Sequence, residues 1–124
     1  MMEIDQLSYK VIGCAMEVHK HLGPGLLESV YEKALMREFD IQGLKASNQV
    51  PVDVVYKGLS IEEGLRLDIL VDDQLIIELK SVEEVKPVYH KQILTYLKLT
   101  GKKVGLLINF NVEDIMKGIK RFKN

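Results

Sequence analysis

Three charged residues have types and a spacing that could do chemistry: Asp68, Glu78 and Lys80. They form a D-x9-E-x-K pattern inside the mostly apolar stretch LDILVDDQLIIELKS, residues 67–81. Side chains alternate along a strand, so Glu78 and Lys80 share one face and Leu79 takes the other. The place of Asp68 depends on the turn. A two-residue loop, Asp72-Asp73, pairs Asp68 with Ile77 and sends Glu78 to the wrong face. A three-residue loop, Asp72-Asp73-Gln74, or a bulge sets Asp68 opposite Glu78, and that geometry is expected. Two carboxylates facing each other at ~5 Å repel unless a positive charge lies between them. A divalent cation, Mg²⁺ or Mn²⁺, suits such hard oxygen ligands. The nearby Lys80 ammonium could then stabilise an activated water or the charge developing on a phosphate. An ion pair of Lys80 with Asp68 or Glu78 at a strand end is the competing reading, and the spacing alone leaves both open.

Such a hairpin needs elements to hold it. Residues 5–21 repeat apolar groups at helical spacing (Leu7, Val11, Ile12, Cys14, Ala15, Val18, then Leu22), with Asp5 as a candidate cap. GPG at 23–25 stops that helix. A second starts near Leu26, with the stripe Leu27, Val30, Tyr31, Ala34, Leu35 and Phe39, and ends at Gly43. NQVPVDVVYKG then alternates as a strand, and Pro51 favours a sheet edge. Residues 59–70 and 75–81 give two more strands. Pro87 opens a helix over 87–100 that Gly101 closes. KVGLLINF is an apolar, interior strand, and the tail reads as a short helix followed by a short strand. The core order α-α-β-β-β-α-β predicts an α/β mixed sheet flanked by helices, in a single domain over residues 1–124.

Composition narrows the function classes. The 124 residues are 47% hydrophobic and 28% charged, which is globular rather than disordered. No apolar run approaches the ~20 residues of a membrane span, and the N-terminus has no signal-peptide pattern. The lone Cys14 excludes an internal disulfide and fits a cytoplasmic protein, with the thiol packed in the core. Net charge is −1, but residues 1–84 hold 8 Lys/Arg and 16 Asp/Glu, whereas residues 85–124 hold 9 and 2. The basic second half could face a polyanion, or its lysines could simply be solvated. There is no P-loop lysine and no nucleophile triad.

D-x9-E-x-K on a hairpin resembles the PD-(D/E)xK nuclease superfamily. Its restriction-endonuclease-like core, α-β-β-β-α-β, is contained in the order above with one extra N-terminal helix. GLLESVY, Gly25 to Tyr31, is similar to the GxxExxY pattern that names a family of small bacterial and archaeal proteins within that superfamily. The segments EVHKHLGPGLLESVYEKAL, RLDILV, IIELKSV, QILTYL and GLLINF carry the likeness over nearly the whole chain. Leu67 stands where the superfamily label has proline. The resemblance implies that Asp68, Glu78 and the Leu79 carbonyl hold the metal, that Lys80 is the catalytic lysine, and that Glu28 holds metal or its water from a helix. It also makes Gln92 and Tyr96 resemble a QxxxY motif that orders the lysine or contacts a phosphate. Arg66, two residues before Asp68, could contact phosphate or pair with an acid.

Bland roles compete at several of these positions. Glu28 could close a capping box on Gly25. Tyr31 suits core packing with a hydroxyl bond, His19 a supporting or exposed place, and His21 and His90 the surface. The resemblance implies a metal-dependent nuclease that acts on nucleic acid, DNA before RNA, and leaves a 5′-phosphate. A non-catalytic nucleic-acid-binding or assembly module on the same fold is the alternative. The small size and an edge strand that asks for a cover raise a homodimer or a protein partner for either function.

Overall fold

The computed structural model describes residues 2–124. Helix α1 spans Ile4–Leu22 and buries Leu7, Val11, Cys14, Ala15 and Val18. Its cap is Glu3 rather than Asp5: the Glu3 carboxylate accepts from the Asp5 and Gln6 N–H groups at 2.9 and 3.2 Å. Asp5 instead pairs with Arg121. Helix α2 spans Glu28–Ile41 and buries only Tyr31, Leu35 and Phe39. Leu27, expected in its stripe, is the exposed N-cap residue.

Strands β1 (Ala46–Tyr56), β2 (Leu59–Val71) and β3 (Leu75–Lys80) follow. Helix α3 (Pro87–Thr100), β4 (Val104–Asn109), a 3₁₀ turn (Ile115–Gly118) and β5 (Ile119–Lys123) complete the order. Pro87 opens α3, and Gly101 ends it in the left-handed conformation. The sheet runs β1-β2-β3-β4-β5. β3 and β4 are parallel, with α3 as the crossover, and the other pairs are antiparallel. Pro51 lies on an edge strand, where its missing N–H breaks no second ladder.

Alternation divides the sheet between two packed layers. Ile77, Leu79, Leu106 and Ile108 face α1 and α2. Ile76 and Leu107 face Ile93 and Leu97 of α3. Gly105 explains how close α3 comes: a Cβ there would lie 2.9 Å from Ile93 Cδ1. On the other face Tyr31 stacks on Phe110 at 4.4 Å, while its hydroxyl donates to the Gly23 carbonyl and accepts from Leu26 N–H. The tyrosine thereby ties the GPGLL segment to the core. This α/β architecture, a mixed sheet with three helices, is the restriction-endonuclease-like fold expected from the order of elements.

A candidate metal centre where β2 parts from β3

The β2–β3 hairpin pairs Val71 with Leu75, Leu70 with Ile76 and Ile69 with Ile77. That register leaves Asp72, Asp73 and Gln74 as a three-residue loop, and its next step sets Asp68 against Glu78. Asp72 and Asp73 both adopt positive φ, 53° and 55°, and the Gln74 N–H donates to the Val71 carbonyl at 3.0 Å. Short polar side chains tolerate that backbone better than most.

The ladder stops at Ile69 and Ile77. Beyond it, the Asp68 side chain takes the role of a β2 carbonyl and accepts the Leu79 N–H at 2.8 Å. In an extended strand a residue's N–H and C=O point to the same neighbour, so the Leu79 carbonyl faces the same gap. Three oxygen-bearing groups thus converge where the strands part: Asp68, Glu78 and the Leu79 carbonyl.

Glu78 is 6% exposed, and its Oε1 has no hydrogen-bond partner. Burial, and then the charge of Asp68, push its carboxyl up to about 9. An orphaned buried carboxylate beside a second carboxylate is a strong donor set for a small hard cation, which would satisfy the oxygen and remove the repulsion together. The residues present therefore fit a divalent ion.

Lys80 shares the Glu78 face, and its Nζ lies 4.3 Å from the centroid of the Tyr89 ring on α3. Neither Asp68 nor Glu78 forms a salt bridge with it among the described residues. The ion-pair reading of the pattern therefore has no support in the geometry. Gln92 Nε2 donates to the Tyr96 hydroxyl on α3 at 2.9 Å, and the Tyr96 hydroxyl is raised by burial and then by the charge of Glu78.

Other candidates lie further out. Glu28 is exposed at the first turn of α2 and makes no side-chain cap. Its helix packs on the opposite face from α3. Ser81 Oγ donates to the Leu26 carbonyl at 2.6 Å, so the end of β3 docks beside the segment leading to Glu28. Among the described residues no group of three His, Cys, Asp or Glu could hold one ion, so Glu28 does not complete a cage with Asp68 and Glu78. Arg66 is exposed and lies 3.6 Å from Glu63. His19 is half-buried, 2.7 Å from the Val112 carbonyl; His21 pairs with Glu17 on the surface. His90 is half-buried against Phe122 rather than free on the surface. Cys14 is buried, and burial pushes its thiol up to about 11.

Two contributors lie outside what the motifs suggest. Tyr89 seats the Lys80 ammonium; Tyr89, Gln92 and Tyr96 sit at i, i+3 and i+7, a helical face that could have revealed it. Asn109, 3% exposed, is the register partner of Lys80 on β4. Its Oδ1 accepts from the Val82 and Asn111 N–H groups, and its Nδ2 donates to the Val82 carbonyl. It clamps the chain as it leaves the site.

Comparison with known proteins agrees with this architecture. A family model described as the PD-(D/E)XK nuclease superfamily matches residues 5–122. No curated protein and no solved structure matches the chain.

Proposed function

The chain belongs to the PD-(D/E)XK nuclease superfamily, and from that premise we propose that it hydrolyses phosphodiester bonds of nucleic acid, DNA before RNA, with Mg²⁺ or Mn²⁺. Members of the superfamily generally use divalent metals. Asp68, Glu78 and the Leu79 carbonyl would hold the ion, and Glu28 on α2 would hold the metal or its water from the other side. When bound, the ion lowers the pKa of a water and neutralises the scissile phosphate. Every other part of the work falls to side chains. Lys80, steadied by Tyr89, stabilises the negative charge that develops on the attacking oxygen. Gln92 and Tyr96 line the α3 side and contact phosphate oxygens. Arg66 is close enough along β2 to engage a further phosphate if it leaves Glu63. The GLLESVY segment supports reading the chain as a member of the GxxExxY family.

The observation that carries this reading is the unpartnered Oε1 of buried Glu78 beside Asp68, with a lysine on the same face that neutralises neither by contact. One observation favours the second reading, a non-catalytic binding or assembly module: the described residues bring only two carboxylates together. Cleavage of linear, circular and single-stranded DNA with either metal separates them. The wild type should cleave, while Asp68→Asn and Lys80→Ala lose at least about 10²-fold in rate, the scale of a removed charge-stabilising group. Cleavage by none of the three with either metal favours the binding module, and equal cleavage by all three places the chemistry elsewhere.

A further inference from the structure

Beside the catalytic face lies a groove of about 240 Å³ on the β4–β5 side, lined among others by His90, Asn109, Lys117, Lys120 and Glu83. Asn109 is the register partner of Lys80. Adjacent strands lie ~4.8 Å apart, so the groove begins one strand over from the lysine of the site.

Its cations are held in place. The Lys120 Nζ lies 5.7 Å from the Phe122 ring centroid, and the His90 ring packs on the same phenyl at 5.4 Å. Gly118 fixes the turn that carries Lys117: a Cβ there would come within 2.2 Å of the Asn109 carbonyl oxygen, so only glycine fits against the end of β4. Neither lysine has a carboxylate in ion-pair contact among the described residues. Among those residues Glu83 on the rim is the one acid lining the groove, so two ammonium groups oppose one carboxylate.

We infer that this groove binds a backbone phosphate of the nucleic-acid strand adjacent to the scissile one, with Lys117 and Lys120 as its charge and His90 as a further ring donor. The inference rests on the proposed nuclease reading and extends it to the path of the substrate: along the strand from Lys80, across β4, to β5. It gives a position to part of the basic excess of residues 85–124.

The test measures binding of a fluorescein-labelled oligonucleotide by anisotropy in Mg²⁺, in the Asp68→Asn background, across a salt series. Adding Lys117→Ala and Lys120→Ala should weaken binding several-fold. It should also make the slope of log K against log salt shallower by roughly 0.7, the share of one phosphate on a single strand. Lys117→Arg with Lys120→Arg should restore both. Lys10→Ala with Lys45→Ala, on α1 and before β1, should change neither. Unchanged affinity and slope in the Lys117/Lys120 double alanine variant overturn the groove while leaving the nuclease reading intact. No binding by the Asp68→Asn chain itself overturns both.

Discussion

At the scale of single residues, Glu78 carries the largest electrostatic strain. Its carboxyl would titrate at an ordinary 4.5 in the unfolded chain and is pushed to about 9 in the fold by burial and by Asp68. The sign follows from proton linkage. The folded state keeps a proton that the unfolded chain releases between those values. The contribution of Glu78 to metal-free stability is therefore full below 4.5 and is lost as pH rises toward 9. Glu78→Gln mimics the protonated acid and should flatten that fall, as urea midpoints in EDTA across the window would report; an equally steep fall in the variant would place the titration elsewhere. Lys80 offers a second residue-level expectation. Tyr89→Phe keeps the ring face and should leave cleavage nearly unchanged, whereas Tyr89→Ala frees the ammonium and should lower kcat about tenfold at little change in KM, on the scale of a cation–π contact. The face that carries the partner of Lys80 was readable, since Tyr89, Gln92 and Tyr96 mark one side of α3, but the contact was not: a lysine on β3 and a tyrosine on α3 meet only once the crossover packs. The carboxylate pair was legible because strand alternation rules out the two-residue loop, and a three-residue loop, one of the geometries expected, sets Asp68 against Glu78.

At the scale of elements, legibility followed how local the cause was. Pro87 and Gly101 bound α3 by backbone restriction alone, so its limits could be read directly. The start of α2 could not. Leu26 and Leu27 fit the helical apolar spacing, but the Tyr31 hydroxyl, bridging Gly23 and Leu26, holds that segment out of the helix. A tertiary hydrogen bond of that kind leaves no periodic trace. The cap of α1 lies before the expected Asp5 because Glu3, a weaker capper by type than Asp, has its carboxylate in reach while Asp5 is drawn to Arg121. The exit of β3 depends on Asn109. Asn109→Ala would strand the Val82 N–H and carbonyl and the Asn111 N–H. It should destabilise the fold by about 1–3 kcal/mol in chemical denaturation, the cost of unsatisfied buried groups. If Asn109 clamps the strand that carries Lys80, cleavage should fall as well; a loss of stability without any loss of rate would limit it to a structural role.

At the scale of the whole molecule, helices pack on both faces of the central strands, and the site opens where β2 leaves β3 and Asp68 replaces a backbone partner. α1 and α2 support it from behind through Leu79 and Tyr31, and α3 roofs it with Tyr89, Gln92 and Tyr96. No helix of the described residues is long and apolar enough to cross a membrane. Part of the charge asymmetry finds a position on this frame, since Lys117 and Lys120 of the basic second half line the groove beside Asn109. The central claim is that a cation belongs in the opening. The most direct measurement is anomalous diffraction from crystals soaked in Mn²⁺. A peak bounded by the Asp68 carboxylate, Glu78 and the Leu79 carbonyl, abolished in Asp68→Asn, is the predicted result. A well-ordered site with Glu78 still unpartnered and no anomalous peak between the carboxylates would contradict it.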